Sequence, residues 1–173
     1  MTVIYVITTG GTIEKAYSEQ TGSIANLNSK IERYLQLLRL PDSEVNVLPL
    51  LNKDSLEMAD ADRELILATV TGLLNENAPI IITHRTDTMV QTGLLRKRKP
   101  LDIKVPIVLT GAMAPLGCDA NDGLQNLTES LFAMSLLSPG IYVVMHNQVF
   151  PIDRVRKDKE LGTFVTTSQN GMK

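Results

Sequence analysis

The chain has 173 residues, 43% hydrophobic and 21% charged, with a formal net charge of −2. These values fit one globular domain and give no electrostatic reason to expect a nucleic-acid partner. A single cysteine, Cys118, excludes an intrachain disulfide and a cysteine-rich metal site, and the two histidines, His84 and His146, do not stand at metal-ligand spacing.

A chain of this length buries roughly 70% of the surface that its unfolded form exposes, so a sizeable core is expected. No apolar run approaches about 18 residues, and no basic-then-apolar leader precedes the first apolar run. The expectation is a cytoplasmic protein with no membrane partner, no metal and no cofactor.

In chain order, short apolar runs alternate with amphipathic stretches. Strands are predicted over 3–8, 45–50, 79–83, 105–110 and 140–146, each bounded by Pro, Gly or Asn as strands buried on both faces are. Helices are predicted over 29–38, 60–76, 87–98 and 123–137. Ile31, Tyr34, Leu35 and Leu38 share a face of the first, and Leu65, Leu67, Ala68 and Leu74 share one of the second. Asp122 stands three residues before Gln125, a capping-box-like start for the fourth. Alternation of strand and helix predicts an α/β fold: a doubly wound, mainly parallel sheet with helices on both faces, in a single domain with right-handed crossovers. Residues 1–165 are expected to form that domain, with 166–173 a tail or the start of an absent linker.

Three segments are longer or odder than connectors need to be: 10–28, 51–59 and 111–122. Each follows a strand, so all three are expected to meet at one edge of the sheet. The run Arg96-Lys97-Arg98-Lys99 reads as a solvated helix end that complements the helix dipole.

The first of these segments opens with Thr8-Thr9-Gly10-Gly11-Thr12-Ile13. A β-branched run stops at two glycines, which turn sharply and admit close approach because neither carries a Cβ. Thr12 then lies just past the carboxyl end of the first strand, where open α/β sheets keep their ligand sites, and is a candidate nucleophile. After the third strand comes Thr83-His84-Arg85-Thr86-Asp87-Thr88-Met89. Thr86 and Asp87 either cap the following helix or, with Thr12 at an equivalent strand end, face a shared cleft.

These residues resemble a known family. The motifs at 8–13 (TTGGTI), 83–89 (THRTDTM) and 108–113 (VLTGAM) are similar, in order and at matching strand ends, to those of the bacterial-type L-asparaginases. The likeness covers essentially the whole chain, which looks like the amino-terminal domain of a cytosolic asparaginase or a short-chain form of one. The resemblance implies hydrolysis of L-asparagine to L-aspartate and ammonia, with Thr12 attacking the side-chain amide to form an acyl-enzyme. It implies that Thr86, Asp87 and Lys157, the last in Val155-Arg156-Lys157, form a second catalytic group. Ser55 matches the residue that binds the substrate's α-carboxylate, and Asp87 the one that binds its α-amino group. Tyr17 is the loop tyrosine, Glu57 an acidic site residue, and the N–H groups of Gly11, Thr86 and Asp87 are candidate oxyanion donors. Residue chemistry alone leaves open whether Lys157 acts as a base, because burial lowers its pKa and Asp87 raises it. A buried Thr86–Lys157–Asp87 group is equally a sound structural network.

Three departures from the family pattern carry expectations. Arg85 stands where the motif has glycine, and is expected to lower activity or alter access. The length is about half of typical members, whose smaller second domain completes a neighbour's site, so a homodimer or homotetramer is expected. Leu56 replaces a glutamine often found in glutaminase-competent relatives, which predicts low glutaminase activity. The competing expectations are an ammonia-releasing amidotransferase-type subunit and a catalytically weakened amino-acid-binding module.

Overall fold

The computed structural model describes residues 1–18, 23–26, 30–53, 58–95, 101–116 and 118–167, and of 16–18 and 23–26 it describes the backbone. The main sheet contains β1 (Thr2–Gly10), β4 (Ser43–Lys53), β5 (Ile80–Thr83), β6 (Pro106–Thr110), β7 (Gly140–Met145) and β8 (Gln148–Pro151), in the order β4-β1-β5-β6-β7-β8. All neighbours pair parallel except β7 and β8, which are antiparallel. Among the described residues, β2 (Lys15–Ser18) with β3 (Ser23–Asn26) and β9 (Val155–Asp158) with β10 (Thr163–Thr166) form separate two-stranded sheets.

Among the described residues, four α-helices cover the two faces. On one, α2 (Asp60–Leu73) and α3 (Met89–Leu94) contribute Ile66, Val70 and Met89 to a core with Ile7, Ile80, Ile82, Leu109 and Phe164. On the other, α1 (Ile31–Leu37) and α4 (Gly123–Met134) supply Ile31, Leu35, Leu127 and Leu131 to a core with Ile4, Val6, Ile81 and Val108. The steps β5–α3–β6 and β6–α4–β7 run the same way across the sheet but over opposite faces, so their hands are opposite, which corrects the expectation of uniformly right-handed crossovers. The strand order reverses between β1 and β5. In sheets of this order a crevice opens outside the carboxyl ends of those two strands, and ligands bind there.

The doubly wound sheet is as expected from the alternation, and β5 and β6 are buried along their whole length. Several details differ. β4 is an edge strand, partly exposed throughout, rather than buried on both faces. The edge also explains Pro49, whose missing N–H costs no ladder bond in an outer strand. The buried side of α2 carries Asp62, Arg63, Ile66 and Val70, while Leu65 is 44% exposed. The leucines lose that face to two polar residues because both are paired: Asp62 holds Lys53 at 2.9 Å and the Ala59 N–H at 2.9 Å, and Arg63 reaches Asp60 at 3.0 Å.

The fourth helix is capped differently from the expectation. Asn121 Oδ1 accepts the Leu124 N–H at 3.1 Å, and Gln125 turns to Glu129. Asp122 instead accepts from the Met113 and Ala114 N–H groups, Asn126 and His146. It thereby ties the segment after β6 to the β7–β8 turn. Segment 10–28, expected as loop, contains the β2–β3 hairpin, whose mixed Ala, Ser and Asn composition carries no apolar alternation. The Arg96–Lys99 run lies outside the described residues.

Candidate active site

The glycine turn after β1 is shaped by close packing. Gly10 and Gly11 take φ of 83° and 87°, and Gly11 has ψ of −174°, a backbone region essentially reserved for glycine. A Cβ on Gly11 would lie 3.0 Å from the Arg85 nitrogen and 3.1 Å from its Cα. The turn bearing Thr12 is thus pressed against the turn bearing Thr86. Buried Glu14 braces it, its Oε2 accepting the Gly10 N–H at 2.7 Å. Below it, Thr9 Oγ1 donates to the Thr83 carbonyl at 2.8 Å, locking β1 to β5. The Gly11 N–H donates to the Lys53 carbonyl at 3.2 Å. The acceptor of this expected oxyanion donor is thus the extended end of β4.

The three loops do meet at this edge. Gly10 pairs with Lys53 across a register shift, and the Leu116 N–H donates to the Ile13 carbonyl at 3.3 Å.

The turn after β5 rests on His84, which is fully buried and satisfied. Its Nδ1 faces the Arg85 carbonyl at 2.9 Å and its Nε2 faces Thr92 Oγ1 at 2.9 Å. A carbonyl only accepts, so the proton belongs on Nδ1 and Nε2 accepts from the threonine hydroxyl. Burial, the dominant cause, pushes the His84 pKa down to about 4. The imidazole is therefore a neutral strut beneath Arg85 and Thr86. Gly111 follows from the same crowding, since a Cβ there would come within 2.2 Å of the His84 carbonyl oxygen.

Lys157 enters from β9. Opposite it in the hairpin is Phe164, 1% exposed, which anchors the pair of strands in the core and holds the lysine stem inward. Lys157 Nζ donates to Thr86 Oγ1 at 2.7 Å and to Asp87 Oδ1 at 2.8 Å. Thr86 is 3% exposed, and the Lys157 and Asp87 side chains are 18% and 37% exposed. Arg85 Nε donates to the other Asp87 oxygen at 3.3 Å. The Lys157 hydrogen bond, first among several causes, holds the Asp87 carboxyl below the usual carboxylate range. Helix α3 starts only at Met89, and Thr86 and Asp87 turn to Lys157 instead of capping it. Among the described residues, the N–H groups of Thr86 and Asp87 donate to no acceptor within the fold.

Thr86, Asp87 and Lys157 are thus brought together, with the Thr12 turn packed beside them. Ser55, Leu56 and Glu57 lie outside the described residues, as does the side chain of Tyr17, whose backbone belongs to β2. Two features have no signal in the sequence. One is Arg85 on Asp87. The other is a chain from Asp122 Oδ2 to His146 Nε2 (2.8 Å) and from His146 Nδ1 to Thr163 Oγ1 (2.7 Å), which fastens the β9–β10 hairpin to the carboxyl edge. Burial, the largest effect on Asp122, pushes its carboxyl up, yet the hydrogen bonds from Met113, Ala114, His146 and Asn126 outweigh it and hold the group low. Among the described residues no group of three or more His, Cys, Asp or Glu is placed to hold a metal, and no helix is long and apolar enough to cross a membrane.

Comparison with known proteins gives this arrangement a context. A family model described as asparaginase, N-terminal, matches residues 3–170. The L-asparaginase of Thermococcus kodakarensis is 30% identical over 159 residues, covering 92% of this chain and 48% of that protein. Its solved structure superposes with a TM-score of 0.85, covering 95% of this chain and 51% of that one. L-asparaginase 1 of Escherichia coli K12 is 31% identical over 136 residues, 75% of this chain and 39% of that protein. A component of the glutamyl-tRNA(Gln) amidotransferase of Methanococcus vannielii is 28% identical over 155 residues, 84% of this chain and 34% of that protein. The chain spans about half or less of the length of these relatives.

Proposed function

The chain belongs to the asparaginase family, and we propose that it hydrolyses the side-chain amide of L-asparagine, releasing L-aspartate and ammonia. The observation that carries this reading is the Lys157–Thr86–Asp87 group packed against the Gly11–Thr12 turn at the switch point of the sheet. Thr12 Oγ attacks the amide carbon while its proton passes to a neighbouring base. The C–N bond breaks, the nitrogen leaves as ammonia with that proton, and an ester to Thr12 remains. Water then attacks the ester carbon, giving the carboxylate and restoring the hydroxyl.

Thr86 and Lys157 form the proton-handling group. A hydroxyl bonded to an amine at 2.7 Å is a ready path for a proton, and the Thr86 and Asp87 N–H groups are the donors for the developing oxyanion. Tyr17, Ser55 and Glu57 complete the proposal: the first as a catalytic residue, the others as substrate ligands. Glutamine, one methylene longer, is turned over less well. A cytoplasmic homodimer or homotetramer without a cofactor is the proposed working form.

The test is ammonia release from L-asparagine by the purified chain, with glutamine and the Thr12→Ala variant as controls. The amidotransferase relative favours a second reading, an ammonia-releasing component that serves another protein. Release of ammonia from free asparagine without any acceptor protein supports the first reading against it.

A further inference from the structure

The hydrogen-bond chain at the β7–β8 turn has three members with three different roles. A carboxylate only accepts, so the 2.8 Å contact with Asp122 puts the imidazole proton of His146 on Nε2. Nδ1 then carries the lone pair, and the Thr163 hydroxyl donates to it at 2.7 Å. A hydroxyl on a base that a carboxylate orients is the arrangement that makes an alcohol nucleophilic, whatever the fold or the order along the chain.

The turn itself does not call for a histidine. His146 and Asn147 take φ of 50° and 60°, and a two-residue hairpin turn of that conformation is served best by Asn and Gly. Both N–H groups are pinned from α4, that of His146 by Asn126 Oδ1 at 2.9 Å and that of Asn147 by Glu129 Oε2 at 2.7 Å. The ring is therefore fixed in place by the fold alone. The side chains of His146 and Asp122 are 27% and 16% exposed and Thr163 is half-buried, so the group is not sealed from solvent.

We propose that Asp122, His146 and Thr163 form a second acyl-transfer centre, distinct from Thr12, in which Thr163 takes acyl groups from small activated esters and thioesters. Thr163 Oγ1 attacks the acyl carbon and its proton moves to His146 Nδ1. The bond to the leaving oxygen or sulfur breaks, and that atom departs with the proton. Water then attacks the threonyl ester and gives a proton to Nδ1, and the carboxylic acid departs as that proton returns to Thr163 Oγ1. Asp122 keeps the ring in the required tautomer and stabilises the imidazolium formed in each step. A partly exposed centre gives the transition state little electrostatic help, which restricts it to donors with good leaving groups.

The probe is p-nitrophenyl acetate, with p-nitrophenolate release followed by stopped flow and the acyl adduct located by mass spectrometry after acid quench. The full chain carries Thr12→Ala, which silences the other candidate nucleophile, and the same variants are compared in the wild-type background. Circular dichroism establishes that each is folded. Thr163→Val is expected to abolish release above the solvent rate, and Thr163→Ser to retain it. His146→Asn, a residue the turn accepts, is expected to slow it by about 10² or more, and the adduct is expected on Thr163. Release that Thr163→Val or His146→Asn leaves unchanged, or an adduct only on other residues, overturns the proposal and leaves the three side chains as a latch. If the valine variant does not fold, His146→Asn and the location of the adduct decide. The centre is independent of the amidohydrolase reading, since asparagine hydrolysis that depends on Thr12 neither requires nor excludes it.

Discussion

His84 links the floor of the cleft to the stability of the whole domain, and the link has a sign. Its side chain is fully buried and its pKa is pushed down to about 4, mainly by that burial, from 6.5 for an exposed histidine. The folded chain therefore holds it neutral while the unfolded chain takes up a proton. The contribution to stability is complete above the unfolded pKa and is lost as pH falls through the window between the two values. The full difference corresponds to about 3 kcal/mol, of which about 2 kcal/mol is lost between about pH 7 and about pH 5. The carboxyls held low, Asp62, Asp87, Asp122 and Asp158, start from 3.8 and lose their contributions mostly below that window. The perturbation is His84→Gln, which keeps a donor and an acceptor and does not titrate. Urea denaturation across the window is expected to give a wild-type stability that falls about 2 kcal/mol further than the variant's. Parallel curves for the two chains would refute the reasoning.

Other substitutions probe the site itself. Gly11→Ala places a Cβ 3.0 Å from the Arg85 nitrogen in a backbone region closed to alanine. It is expected to cost about 1–3 kcal/mol and to depress ammonia release, read by denaturation and by a coupled assay; an alanine variant of native stability contradicts the packing argument. Lys157→Met keeps the stem and removes the ammonium from Thr86 and Asp87. Turnover is expected to fall by about 10²–10⁴, while stability shifts by no more than about 1 kcal/mol because the ion pair is partly exposed. Turnover within about twofold of wild type removes Lys157 from the mechanism.

The strands of the parallel sheet are legible because burial on both faces writes a continuous apolar run, as in Ile80–Thr83. The hairpins are not. Val155–Asp158 reads VRKD, and only Val155 of the four is buried. Helix α2 is placed correctly by its pattern but turned to the wrong face, because pattern reading ranks Leu65 above Asp62 and Arg63. Pairing with Lys53 and Asp60 is what makes burying those two polar side chains tolerable. At the site, Thr12, Thr86 and Asp87 are legible from their positions at strand ends. Lys157 is not legible in that way: it meets Thr86 across 71 residues, and only the family likeness points to it. Arg85 stands out as a departure, but its bond to Asp87 follows from a turn geometry that no periodicity records. The Asp122–His146–Thr163 chain spans three separate segments and leaves no local trace.

The central claim is that Thr12, which follows the Gly11 turn packed on Arg85, is the group that takes the acyl fragment from an amide. Ammonia release from L-asparagine by the wild-type chain and by Thr12→Ala, both verified as folded, tests it directly. The account predicts steady release by the first and none above background by the second. Release undiminished in Thr12→Ala would contradict it and move the nucleophile to another residue.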